Sequence, residues 1–230
     1  MITLLFLCCF SVGEKLEYAA KFSFLQLGAM TLEVKDTVTY RDAHCYVFSS
    51  ILTSNPSLRF LFTLYDTVKV YARSPDLLPL FYEEKINEGT YHNHAALHFD
   101  HQNLSVAYGD SSVYDIVEDT RDLLTFWYYL RTVPLMLGDT IVLQIHKSKE
   151  NYEVDCFIQK EEVIKTAVGQ FNTIVVSARA DKPSIFGSKG GMEIWYSDDE
   201  FRYPVQIKAA MRFGSILFKL QGVHQLENLQ

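Results

Sequence analysis

The stretch KLEYAAKFSF, Lys15 to Phe24, settles the fold class. Leu16, Tyr18, Ala20, Phe22 and Phe24 alternate with Lys15, Glu17, Lys21 and Ser23. A period of two places these sets on opposite faces of an extended strand, one buried and one wet. The same alternation returns after a turn at Gln26 to Gly28, in Met30, Leu32 and Val34, and predicts a hairpin. It returns again in Val68, Val70 and Ala72, in Tyr152 to Ile158, and in Tyr203 to Met211. Turn signals such as Asn55-Pro56, Ser74-Pro75-Asp76, Asn87-Glu88-Gly89, Leu137-Gly138-Asp139 and Phe213-Gly214 separate these runs. The chain therefore reads as all-β, with about a dozen antiparallel strands.

Helical patterns do not separate the strands, which disfavours a parallel α/β fold. A sheet of this size must curl, so the expectation is one large curved antiparallel sheet or a partly open β-barrel. One short α-helix, at about 120–131, interrupts the pattern in DLLTFWYYLRT. Asp122 lies where a carboxylate favours a helix N-terminus, and Pro134 ends the element. Leu123, Phe126, Trp127 and Leu130 share one face at helical spacing and read as core, which leaves Tyr128, Tyr129 and Arg131 beside or opposite them. If the helix touches a ligand, Tyr128 and Arg131 are the first residues to test.

The chain has 230 residues, 48% of them hydrophobic and 14% aromatic, enough for one substantial core. Its formal charge of -7 provides no basic footprint for nucleic acid. The apolar run from Met1 to Phe10 is too short to span a bilayer and has the length of a signal-peptide core. No Lys or Arg precedes it, and a truncated or misplaced start codon would account for that. The boundaries read as an export segment at 1–12, one β-rich domain at 13–223 and a tail at 224–230. Two alternatives stand for the first segment: lipid attachment at Cys8 or Cys9, and a buried first strand in an unexported protein. Without that segment only Cys45 and Cys156 remain, which excludes a dense disulfide scaffold. Membrane barrels carry apolar side chains outward, whereas the wet faces here are charged, so the chain reads as peripheral to the envelope.

Candidate chemistry is sparse. His92, His94 and His98 in TYHNHAALHFDHQN share a strand face and could chelate a metal there, with Asp100 and His101 at the following turn. Their plainer reading is the solvated face of a polar hairpin. Asp198, Asp199 and Glu200 at the turn of IWYSDDEFRYPV could hold calcium but lack the ligand alternation of a binding loop, and acids are ordinary turn residues. Trp195 and Tyr196 point to opposite faces, so only one of them can reach the concavity. FGSKGGM, Phe186 to Met192, lacks the following helix that a phosphate loop requires and reads as a hairpin tip or lid with Ile185 and Phe186 as its apolar edge. There is no nucleophile elbow, no paired-cysteine motif and no phosphate-binding motif, and no cofactor is called for.

GEKLEYAAKFSFLQLGAMTLEV, DLLTFWYYLRTVPLMLGDT, AVGQFNTIVV and MEIWYSDDEFRYPVQIKAAMRFGSILFKL occur in this order over about 200 residues. As a set they resemble a bacterial family of exported proteins of unknown function, domain of unknown function 3108. The resemblance implies a β-rich periplasmic or surface-exposed protein and supplies no catalytic residues. Two functional classes follow. One is a non-enzymatic binding or carrier module for a lipid or other hydrophobic ligand, with Trp127, Tyr128, Arg131, Trp195 and Phe186 as ligand-binding candidates. The other is an envelope enzyme or accessory factor acting on polysaccharide. A purely structural role is the third reading. A carrier calls for an apolar cavity of several hundred Å³ beside the helix, and an enzyme for an open polar cleft with convergent His, Tyr and Arg. Oligomeric state is not legible in the sequence.

Overall fold

The computed structural model describes residues 9–58, 60, 62–182, 185, 191–211 and 214–225. Fourteen strands among them form one antiparallel sheet in the order β8-β7-β6-β5-β4-β3-β2-β1-β14-β13-β12-β11-β10-β9. The first half comprises β1 (Lys15–Phe22), β2 (Leu25–Tyr40), β3 (Ala43–Ser54), β4 (Tyr65–Arg73), β5 (Pro79–Glu88), β6 (Tyr91–Asp100), β7 (Ser105–Tyr108) and β8 (Val113–Asp115). After the helix α1 (Leu123–Thr132) come β9 (Thr140–Lys147), β10 (Glu150–Thr166), β11 (Gly169–Ala180), β12 (Gly191–Ser197), β13 (Pro204–Met211) and β14 (Gly214–His224). Each half is a meander. The two join at the middle of the sheet, where β1 pairs with β14 from Lys15↔His224 to Phe22↔Ile216.

The alternation that opened the sequence sets this register. Leu16 pairs with Leu32 and Tyr18 with Met30, all buried, while Lys15 and Glu17 lie on the wet face and form an ion pair. Register shifts at Glu17/Tyr18, Ala20/Lys21, Val34/Asp36, Ile158/Lys160 and Trp195/Tyr196 add bends and twist, which curl the sheet around one core. Gly28 permits a close inter-strand approach: a Cβ there would collide with the Thr53 carbonyl oxygen.

The barrel stays open because β8 and β9, its two edges, do not pair with each other. The chain entering the helix covers part of the β9 edge. Arg121 N–H donates to the Gln144 carbonyl at 2.8 Å, and His146 N–H donates to the Arg121 carbonyl at 2.8 Å. Ile145 belongs to the main core beneath the helix, and the next residue, His146, points the other way. There its ring meets Phe99, Tyr108 and Tyr114. Phe99 and Tyr108 belong with Leu97, Val106 and Ile116 to a second, smaller apolar cluster. The β6–β8 flap therefore laps over the outside of β9, so the sheet overlaps itself rather than meeting edge to edge.

The helix starts as expected and turns a different face inward. Asp122 caps it, accepting from Leu124 N–H at 2.7 Å and Thr125 N–H at 3.2 Å, while Thr125 Oγ1 accepts from Asp122 N–H at 3.2 Å. Val133, extended and followed by Pro134, ends it. Leu124, Phe126, Tyr128, Leu130 and Arg131 are buried, whereas Leu123, Trp127 and Tyr129 are only partly so. The division expected from spacing, with Tyr128 and Arg131 outside the core, is corrected here. The helix lies in a concavity that closes over more than one of its sides. The Tyr128 ring stacks on Phe48 at 3.9 Å, and Phe10, from the segment before β1, meets it edge to face at 5.4 Å.

Candidate functional site

Arg131 shows what the far end of the concavity is for. Its guanidinium grips Glu14 with two parallel bonds of 2.6 and 2.9 Å and also donates to the carbonyls of Cys9 and Phe201 at 2.8 and 2.9 Å. The two charged side chains are 1% and 0% exposed. Burial pulls the Arg131 pKa down, but the Glu14 hydrogen bond and charge outweigh it and hold the guanidinium ionised. This ion pair ties together the segment before β1, the helix C-terminus and the β12–β13 turn. Tyr128 beside it is 2% exposed, and its hydroxyl has no hydrogen-bond partner among the described residues.

The other ligand-binding candidates are scattered. Trp127 donates from Nε1 to Met192 Sδ at 3.4 Å. Trp195 and Tyr196 do face opposite ways. Tyr196 donates to the Trp127 carbonyl at 3.0 Å inside the sheet, and Trp195 donates to Glu162 at 2.9 Å outside it. Phe186 and most of FGSKGGM lie outside the described residues. The histidines share a face but each has its own partner: His92 meets Asn87 at 3.0 Å, His94 meets Glu83 at 3.0 Å, and His98 meets the Tyr40 hydroxyl at 2.8 Å. Asp199 acts as a turn residue, accepting from Phe201 N–H and Arg202 N–H at 3.0 Å each. Cys45 and Cys156 are separate buried thiols, and burial pushes Cys156 up to about 12.

What the structure does bring together is a hollow of about 400 Å³ at the seam between the β5–β6 hairpin and the end of β9, beside the helix N-terminus. Leu97, Ala95 and Leu123 give it an apolar wall. Beside them, Tyr82 and Glu84 pair across the hairpin with Leu97 and Ala95; Tyr82 donates to Glu84 Oε2 at 2.7 Å, and Asn93 Nδ2 donates to Glu84 Oε1 at 3.2 Å. Lys147 also lines the hollow and donates from Nζ to the Ile185 carbonyl at 3.3 Å. Burial lowers the Lys147 pKa, and the Glu84 charge opposes that shift. Burial raises Tyr82 well above the usual phenol range, so it remains a donor.

A hydrogen-bonded chain fixes the outer wall. Tyr108 Oη accepts from Lys149 N–H at 2.8 Å and, with His146 neutral and protonated at Nδ1, donates its own proton to His146 Nε2, 2.9 Å away. His146 Nδ1 then donates to Asn151 Oδ1 at 2.6 Å, and Asn151 Nδ2 donates to the Asp115 carbonyl at 2.7 Å. Burial holds His146 below the ordinary histidine range, which agrees with this neutral tautomer. Lys149 pairs with Asp110 at the mouth. Sequence reasoning missed this site: on β9 the alternation of Ile141, Leu143 and Ile145 assigns His146 to the wet face. Its burial comes from β6–β8, almost forty residues earlier.

The family model for a protein of unknown function, DUF3108, matches residues 17–221. The chain belongs to this family. No curated protein matches it. Among solved structures, it resembles a β-barrel-like protein of domain of unknown function DUF1849 from Brucella abortus, with a TM-score of 0.60 at 9% identity over 94% of this chain and 98% of that one. A candidate lipoprotein from Parabacteroides distasonis matches with a TM-score of 0.40 at 14% identity, over 93% and 96% of the two chains. A candidate exported protein with a YmcC-like fold from Bacteroides fragilis matches with a TM-score of 0.38 at 14% identity, over 94% and 97%. At these identities the likeness to the Brucella protein shows the partly open, barrel-like fold and nothing more.

Proposed function

We propose that this DUF3108 chain is an exported, envelope-resident binding or carrier module without catalytic activity, and that it holds a small amphipathic molecule in the seam hollow. The observation that carries the reading is the mixed lining: Leu97, Ala95 and Leu123 suit an apolar portion, and Lys147, Glu84 and Tyr82 suit a polar head. No nucleophile with an activating base lies among these residues, and His146 is already committed to Tyr108 and Asn151. Mass spectrometry of small molecules extracted from natively purified protein tests the proposal. A lipid or similar amphipath should be recovered from the wild type and lost in Ala95→Phe, which fills the hollow. Clean protein that instead binds sugars would overturn it.

Export is part of the same proposal. Residues 1–8 lie outside the described residues, but Cys9 and Phe10 are 6% and 5% exposed and pack in the core. That favours retention of Phe10 in the mature protein, with the export segment ending before Cys9 rather than after Val12. Mass analysis of the mature N-terminus tests the boundary, and a start at Gly13 would refute it.

A second reading rests on the outer face. Tyr40, Tyr71, Phe81 and His98 form a partly exposed row with ring separations of 5.4, 5.1 and 5.2 Å, with Lys69 over Tyr71. Such a platform suits sugar rings and favours an accessory factor on polysaccharide. Tyr71→Ala should abolish retention on immobilised envelope polysaccharide if this platform is used, and unchanged retention would remove the reading.

A further inference from the structure

One end of the curled sheet is apolar in an unusual way. The register puts the β1–β2 turn, the β3–β4 connection and the β13–β14 turn at the same end, since Phe22 pairs with Leu25 and Ile216, and Thr53 pairs with Tyr65. On these turns Phe24 is 96% exposed and Phe60 80%, with Phe62, Leu25 and Phe22 about half as exposed. Behind them lies a groove of about 220 Å³ lined by Leu27, Leu52, Leu58, Leu64, Ile216 and Phe218 among others. Water-facing phenylalanines on two neighbouring turns cost free energy unless something covers them, and a soluble surface rarely gathers them this way.

The geometry points to an anionic lipid bilayer surface as the partner of this end, with the turn phenylalanines inserted at the headgroup–acyl boundary. Three features select a bilayer. The apolar residues project from separate turn tips rather than forming a flat face, so a soft, deformable partner can accommodate all of them at once. The sequence around them has the right sign: segments 21–28, 55–65 and 211–218 contain Lys21, Arg59 and Arg212 and no Asp or Glu, in a chain whose net charge is -7. Asp66 and Glu88 lie to one side on β4 and β5, and burial raises the Glu88 pKa toward the neutral form. Aromatic tips with basic neighbours are the chemistry of interfacial anchoring. The mouth of the seam hollow, near Tyr91, Asp110 and Lys149, opens at this same end, so docking would bring it to the source of an amphipathic ligand. The docking inference does not depend on that hollow.

Flotation of the full chain with vesicles tests it, using phosphatidylcholine alone and phosphatidylcholine mixed with phosphatidylglycerol. The wild type should float with the mixed vesicles and release as salt is raised. Phe24→Ser combined with Phe60→Ser, both exposed and so compatible with folding, should lower vesicle affinity by at least about tenfold. Lys21→Ala should weaken binding to mixed vesicles only. Ala95→Phe should float like the wild type, which separates this inference from the proposed ligand hollow. The inference fails if the wild type binds neither vesicle, or if the double variant binds unchanged. It also fails if the double substitution instead dissolves a dimer on size-exclusion chromatography, because the cover would then be a second copy.

Discussion

The two ends of the curled sheet are built on opposite plans. At the far end, where β1 begins and β12 turns into β13, the helix C-terminus is locked by a fully buried ion pair and by aromatic rings stacked at 3.9 Å. At the turn-tip end, charged and aromatic groups line an open hollow, and phenylalanines face solvent. The contrast shows why residue type alone misleads. The Tyr and Arg on the helix are the kinds of residue that bind ligands, yet here they maintain the fold. The charged groups lining the open hollow are instead Lys147 at the end of β9 and Glu84 in the middle of β5.

The largest test of this contrast is at the ion pair. Arg131→Met leaves Glu14 buried without its partner and should cost about 3 to 5 kcal/mol in urea unfolding. Adding Glu14→Leu should recover much of that loss, because the double variant removes both charges. A small effect of Arg131→Met alone would mean that this end is not closed. The neighbouring tyrosine sharpens the point, since Tyr128→Phe removes only a hydroxyl without a partner among the described residues and should change stability by less than about 1 kcal/mol.

Next in size is the cap. Asp122→Ala removes the acceptor for two helix N–H groups and should destabilise by about 1 to 2 kcal/mol. It sits where the helix meets the hollow, so ligand retention should fall with it. Equal retention would show that the hollow does not need the helix start.

At the seam, the expected effect is smaller and depends on pH. The unfolded histidine takes up its proton near pH 6.5, while His146 in the fold resists protonation because it is buried. The unfolded state therefore binds more protons as pH falls below about 6.5, and stability declines in that window. His146→Gln should flatten the decline, and NMR should show His146 titrating below the ordinary histidine range. A His146 that titrates like an unfolded histidine, near pH 6.5, would mean that the flap does not lap over β9.

Much of this architecture was legible in the sequence. Period-two alternation placed the hairpin of β1 and β2, the long β10 strand and the outward lysines and glutamates, and Asp122 and Pro134 bracketed the helix. The parts that were not legible depend on pairings remote in sequence. Arg131 is buried because Glu14, 117 positions away, arrives beside it, and helical spacing contains no trace of that. The meeting of β1 with β14 in mid-sheet and the flap over β9 likewise follow from how the whole sheet curls. The seam hollow exists only through that overlap.

The most direct test of the account is a titration of a fluorescent fatty-acid probe into wild-type protein and into Ala95→Phe. The account expects saturable binding to the wild type and at least about tenfold weaker binding to the filled variant at unchanged melting temperature. Probe binding that is absent from the wild type, or equal in the two proteins, would contradict it.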